Sequence, residues 1–387
     1  RILLRPDDGV DESIGVELRL GEPKVSTAYQ KIAATLALIN INCSGLQLTV
    51  FVYMPEMTYI KPWMNYLEQL ELLESRGLQV TDRPKALEYL KRIGYYRLSG
   101  YWYSFRARSG PLVLLDKSGH KPEKSNKVET ISLDNFKIGA TFENAVNLYV
   151  FDKKLRLLTL DALERIEIAL RVNISHKLGK LDPFSYLRPE FFHHDFSDKI
   201  DAKSGLSKHH DWLSKHAQLI IRSKEEFVRH NKKKYGLPLA IWVACEVWDF
   251  GTLSKLFAGM REQEQDAISI LYGVHNGRIF ATWLRSMNYL RNVCAHHSRL
   301  WNRNIIDQPR FPSATEIPWV AAFEHDLHSK ARCYSLIYMA RHLLMVINPH
   351  SSWSERMKAH LLDFPDLKHL QLDLAGMGAP TDWIASW

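Results

Sequence analysis

The chain is poor in the signatures that would name a chemistry outright. Its four cysteines (Cys43, Cys245, Cys294, Cys333) are scattered with no Cys-x-x-Cys pair among them. That excludes a zinc ribbon or a thioredoxin-type dithiol and leaves buried free thiols in a reducing compartment as the expectation. There is no phosphate-cradling glycine loop of the Walker or dinucleotide type, no Gly-x-Ser-x-Gly nucleophile elbow and no internal repeat of fixed period. Long hydrophobic runs are also missing. The most apolar stretch, Ile32 to Tyr53, is interrupted by Asn40, Asn42, Ser44 and Gln47, whose amides are costly in lipid, so no membrane span is expected. The opening Arg-Ile-Leu-Leu-Arg-Pro-Asp-Asp has no apolar core followed by small residues, and a cytoplasmic protein is expected. Negative charge is the scarcer sign: 43 Asp and Glu stand against 51 Lys and Arg, a net charge of +8. That excess favours a polyanionic partner, nucleic acid before membrane.

What is present is a soluble, globular composition, 46% hydrophobic and 24% charged. A length of 387 residues suffices for a large single domain or two small ones. The organising stretch is Arg291-Asn-Val-Cys-Ala-His-His-Ser-Arg-Leu-Trp-Asn-Arg303. It ends a run that repeats at helical spacing. At roughly 100° per residue, Phe280, Trp283, Met287, Leu290 and Cys294 share a core face. Arg285, Asn288, Asn292, His296 and Arg299 share the opposite one, and Arg291 stands at the seam. Rigid amides, one imidazole and guanidinium forks on one stripe suit an anion or a phosphodiester. The competing reading is that Arg291, Asn292 and His296 merely cap the helix and bridge to the next.

Arg291-x-x-x-x-His296 with Asn292 directly after the Arg resembles the signature of HEPN-type ribonucleases. Other blocks are similar to the Abi-like (abortive infection) family of bacterial phage-defence proteins. They are Lys61-Pro62, Arg76-Gly77-Leu78, and Gly94 to Arg106 with its interleaved aromatics. Phe151-Asp152-x-x-Leu155-Arg156 and Leu163-Glu164-x-Ile166-Glu167-x-x-Leu170-Arg171 follow, then Pro238 to Val247 and Phe250 to Ser254. The resemblance implies a mainly α fold: a HEPN-like helical bundle with an N-terminal helical pair and a small β-hairpin insertion. It also implies metal-independent endoribonuclease chemistry in abortive infection, with no cofactor, in which a ribose 2′-OH attacks its own phosphodiester. His296 is then the acid/base, Arg291 the phosphate ligand, and Asn292 an orienting amide. On a straight helix Arg291 and His296 diverge by roughly 140°, so a homodimer with a composite site is expected. Arg171 and His176 repeat the spacing and form a secondary half-site. RNA is the expected partner, as substrate and as a possible regulator. A non-catalytic RNA-binding or sensor protein on the same fold is the alternative.

Along the chain, residues 1–53 are expected to be a poorly ordered extension, because Met54 and Met57 stand where proteins of the resembled family tend to begin. Residues 54–140 form an N-terminal helical unit with helices over 61–77 and 84–93. Pro62 is placed in the first turn and Gly77 at the C-terminal cap. The β insertion is read from Leu112–Leu115 and Glu129–Ile131, with a basic loop at Lys117, Lys121, Lys124 and Lys127. Residues 141–387 form the bundle with a C-terminal lid. Within it, 141–179 is the longest helical pattern, 212–234 a basic helix and 326–347 a further helix. Arg97, Arg106, Arg299, Arg303, Lys232 and Lys233 are candidate RNA contacts. Tyr95, Tyr101 and Trp102 read rather as core. The triplets His193-His194-Asp195 and His209-His210-Asp211 lack a ligand frame, so no metal site is assigned to them. Glu246 is either a partner for a site arginine or a surface acid.

Overall fold

Helix starts and stops are written in short-range chemistry. A computed structural model describes residues 50–53, 61–115, 130–324 and 326–387. The expectations for residues 1–49 and for the lysine-rich loop lie outside them. The described residues fall into two compact units, one ending at Phe142 and the other spanning Glu143–Trp387.

In the first unit, helix α1 covers Tyr66–Ser75, not 61–77. Asn65 accepts the Glu68 amide, and the Glu68 carboxylate accepts the Asn65 amide. This capping box sets the start past Pro62, because it satisfies two otherwise orphaned donors. Gly77 ends the helix at φ +88°, where a side chain would be strained. Helix α2 covers Arg83–Arg92 behind an Asp82 cap, and α3 covers Tyr95–Trp102. Strands β1 (Val50–Tyr53) and β3 (Leu112–Leu115) pair in parallel. Strands β2 (Arg106–Arg108) and β4 (Ser132–Phe136) form the antiparallel pair. The fold is mainly α with this small β insertion, although Leu112–Leu115 pairs with Val50–Tyr53 and not with the segment after the loop.

The second unit is built on α4, Phe142–Leu181, a 40-residue helix about 60 Å long. Leu148, Phe151, Leu155, Ala162, Ile166, Leu170, Ile174 and Leu178 are buried at spacings of three and four. The basic segment is two helices, α5 (Lys208–Arg222) and α6 (Glu226–Tyr235). Extended backbone at Ser223 and Glu225 breaks the single helix expected over 212–234. The Lys232 ammonium caps the end of α5 by donating to the Ile220 carbonyl at 3.0 Å. Helices α7 (Phe250–Gly259) and α8 (Glu262–Ser269) then pack on α9 (Gly277–Ala295). The expected 326–347 helix is likewise interrupted. Arg332 is extended, so Leu327–Lys330 is a single turn and α10 runs Cys333–Ile347. The tail begins with α11, Trp353–Leu362. It is fastened to α4 by Trp353 Nε1 on the Leu158 carbonyl and by the His360 ring on the Phe151 carbonyl. Among the described residues no helix is long and apolar enough to cross a membrane.

Candidate active site

The stripe read from the sequence is carried by α9. Asn276 caps its start by accepting the Ile279 amide. Phe280, Trp283, Met287, Leu290 and Cys294 are all buried. Opposite them Asn288, Arg291 and Asn292 are half-buried, while Arg285 and His296 are exposed. The helix stops at His296. The His297 amide donates to Cys294 and the Ser298 amide to Val293, closing a Schellman turn. His297 takes the left-handed position at φ 56°, where glycine is the usual residue. That conformation costs a β-carbon residue about 1 kcal/mol or more.

The chain beyond this turn is pinned to α4 by one carboxylate. Asp152 is fully buried and accepts the backbone amides of Leu300 (3.1 Å) and Trp301 (2.8 Å), while Arg156 donates to it from the next turn. An ionised carboxylate has oxygens enough for all three, and a buried one needs them. The same apolar surroundings push the Cys294 thiol up to about 12, and that of Cys333 well above its usual value. Both are inert packing thiols at neutral pH.

Arg171 pairs with Glu167, and the charge of Arg291 reaches the same carboxylate. Arg171 Nη2 donates to Glu167 Oε1 and to the Trp248 carbonyl, both at 3.0 Å, and Nη1 lies 3.7 Å from Glu246. Burial raises the Glu167 pKa, opposed by the charges of Arg171 and then Arg291. Asp249, whose charge also reaches Glu167, caps α7 through Thr252 and lies 3.3 Å from Lys215. A Cβ at Gly251 would come within 3.2 Å of Asn288, so the start of α7 lies close against the polar stripe of α9. Arg291 Nη1 also reaches Asn292 Oδ1 at 3.4 Å, so this amide steadies the guanidinium beside it. The result is one guanidinium bonded to Glu167, a second whose charge reaches that carboxylate, and an exposed imidazole at the helix end.

The two Arg-x-x-x-x-His pairs set both arginine charges toward Glu167 but keep their histidines apart. Contacts between α4 and the α9 region run in reverse order: Asp152 bonds Leu300 and Asn173 bonds Tyr272, while the charge of Arg291 reaches Glu167 between them. The helices are therefore antiparallel. His176 and His296, both exposed, lie toward opposite ends of α9, which is about 28 Å long. Among the other candidates, Arg303 is held by Tyr289, with Nε 2.9 Å from the hydroxyl. Arg106 is tied to Asp134 and lies over Tyr103. Arg299 is half-buried, Arg97 and Lys233 are exposed, and Lys232 serves as the cap described above. Tyr101 and Trp102 are core and Tyr95 is half-buried. Glu246 is exposed and within reach of Arg171.

The histidine triplets act as caps and core. His193 bonds the Ala258 carbonyl, His194 pairs with Asp198, His209 bonds the Tyr186 carbonyl and His210 meets Ser207. Among the described residues no cluster of three or more His, Cys, Asp or Glu is arranged to hold a metal. Sequence reasoning missed the roles of Asp152 and Asp249. The Asp249-x-x-Thr252 spacing is a cap signal that could have found the second. The first had no local signal.

No curated protein and no solved structure matches the chain. The family model described as Abi-like protein matches residues 88–302, which include α3, α4, the Glu167 cluster and the motif through Asn302. The match covers more than half of the chain, and the chain belongs to the Abi-like family, which places it among abortive-infection, phage-defence proteins.

Proposed function

We propose that this defence protein is a metal-independent endoribonuclease that acts as a homodimer in the cytoplasm. The chemistry is transesterification: the ribose 2′-OH attacks the adjacent phosphorus and the 5′-oxygen leaves. His296 moves the proton, since an imidazole nitrogen can take it from the 2′-OH and return it to the leaving 5′-oxygen. Arg291 binds the non-bridging oxygens, with Asn292 steadying its fork and the Glu167 charge nearby. The observation that carries this reading is the end of α9 itself. An exposed imidazole and a half-exposed guanidinium sit five residues apart on a helix terminus that Asp152 fastens to α4. A core or plain capping role would not need the imidazole in solvent.

One copy of the motif sends Arg291 and His296 in directions roughly 140° apart. Because His176 lies toward the other end of α9, the second set of groups is better supplied by a second chain across a two-fold axis. An RNA or protein partner holds the enzyme silent until infection.

The test is cleavage of a labelled single-stranded RNA by the purified chain in EDTA. His296→Ala should lower the rate by about 10²–10⁴-fold while RNA binding persists. Equal cleavage by the variant would end the nuclease reading. Binding with no cleavage by wild type would favour a non-catalytic RNA sensor.

A further inference from the structure

Two large aromatic side chains of the second unit stand out of the core beside the basic helix α6. Trp242 is 53% exposed and Tyr235 is 70% exposed. Trp242 lies on the short helix Ile241–Ala244, against which α6 packs. A Cβ at Gly179 would come within 3.4 Å of the indole, so Trp242 is seated on α4 by one edge. The Ile241 amide holds that helix start on the Pro183 carbonyl at 2.8 Å. Tyr235 ends α6, with the Lys234 ammonium 5.0 Å from its ring centre. Lys233 and Lys180 are exposed close by in sequence, and the α6 carboxylates, Glu225 and Glu226, sit at the far end of that helix.

The position of Trp242 relative to the candidate site is fixed by a row on α4. Glu167, Arg171, Ser175 and Gly179 follow at intervals of four, so they share one face. The segment 241–248 runs along that row in reverse. Trp242 lies at Gly179, Cys245 at Ser175, and Glu246 with the Trp248 carbonyl at Arg171. Trp242 is therefore about 12 Å from Arg171 along the helix, on the same side as the Glu167–Arg291 cluster.

We propose that Trp242 and Tyr235 form a stacking track for single-stranded nucleic acid that leads to the Arg171–Glu167–Arg291 cluster. Bases stack on the two rings, and Lys180, Lys233 and Lys234 neutralise phosphates. Every base has a π-face, so the track selects unpaired strands over duplex and tolerates sequence. The local charge fits a polyanion and opposes a basic partner such as a second copy of this surface. The inference rests on RNA as the ligand of the proposed nuclease, but not on cleavage.

The experiment measures binding of a fluorescent 12-nucleotide oligouridylate to the full chain carrying His296→Ala, so that the probe survives. An oligothymidylate and a duplex of equal length are the comparators. Trp242→Ala and Tyr235→Ala should each weaken single-strand binding about ten-fold or more. Trp242→Phe should keep most of the affinity, whereas Trp242→Leu should not, and that pair decides the matter if the alanine variant folds poorly. Lys233→Gln with Lys234→Gln should lower the slope of log affinity on log salt by about 1.4. Oligothymidylate bound as tightly as oligouridylate means that the track does not read the 2′-OH, as stacking requires. Unchanged affinity in Trp242→Ala, equal affinity for duplex, or a change of oligomeric state without a change in binding each overturns the track. Should wild type bind in this way but cleave nothing, the nuclease reading falls and the track stands.

Discussion

Asp152→Ala should destabilise the protein by about 3–5 kcal/mol, because removing one partner of a buried ion pair strands the other. Arg156, only 5% exposed, loses its counter-charge, and the Leu300 and Trp301 amides lose their acceptor. Each stranded donor costs about 1–3 kcal/mol on its own, and the three losses overlap since they share one site. The melting temperature should fall on the order of 10 °C. Limited proteolysis should open first between His296 and Arg303, the stretch that the carboxylate pins. Asp161→Ala is the matched control. Asp161 pairs with two arginines, Arg165 and Arg356, but stays partly open to solvent. Such pairs contribute within about 1 kcal/mol. If the two substitutions cost the same, Asp152 is not the fastening of the motif loop.

That contrast shows how much of this molecule a single sequence could tell. The long helix α4 was legible to within a few residues of its ends, because a stripe at three and four over ten turns has one reading. The core face of α9 was legible for the same reason, and so was its end at His296. The start of α1 was misplaced because Pro62 and the Asn65–Glu68 box both signal helix beginnings, and the box has two hydrogen bonds to offer against none. The interruptions at Ser223–Glu225 and at Arg332 were hidden, since both residue runs have ordinary helix propensities. What breaks them is tertiary: Lys232 reaching back to Ile220, and the Ala331 carbonyl accepting the Ile305 amide at 2.8 Å. At the site, Arg291, Asn292 and His296 could be nominated from spacing and resemblance. Their neighbours could not. The charge of Arg291 reaches Glu167, and Asp152 meets Leu300, only once α4 and α9 lie antiparallel. No local pattern records that pairing. The choice between Arg171–His176 and a second chain also needed the antiparallel arrangement, because it sets the two histidines apart.

Acidification from pH 7 to pH 5 should cost the fold several kcal/mol, with His216 the largest single contributor. Burial lowers its pKa to about 4 from an ordinary 6.5. The ring is stacked on Trp212 at 5.6 Å, nearly parallel, and its Nδ1 accepts the Trp248 indole N–H at 2.9 Å. That bond requires the bare nitrogen of neutral imidazole, so protonation removes the acceptor. With the folded pKa depressed, the unfolded chain takes up the proton first. The stabilisation is complete above pH 6.5 and is lost progressively as pH falls toward 4. Across that window the loss is about 3 kcal/mol, of which roughly 2 is gone by pH 5. His209, His342 and His360 are lowered by burial too and add to the same trend. Glu167 has the opposite sign: its raised pKa makes folding easier as it protonates, near and above 4.5. The site should feel the change before the fold does. Trp248 is the residue whose carbonyl holds Arg171, and it precedes the Asp249-capped helix start whose Gly251 abuts Asn288. Urea unfolding at pH 7, 6 and 5 checks the slope, and His216→Phe should flatten it while lowering stability at pH 7, because the indole N–H of Trp248 then has no acceptor. A midpoint that stays level from pH 7 to pH 5 in wild type would mean that His216 is protonated at no cost, and the packing of Trp212, His216 and Trp248 would not be the support under the Arg171 contact that their geometry indicates.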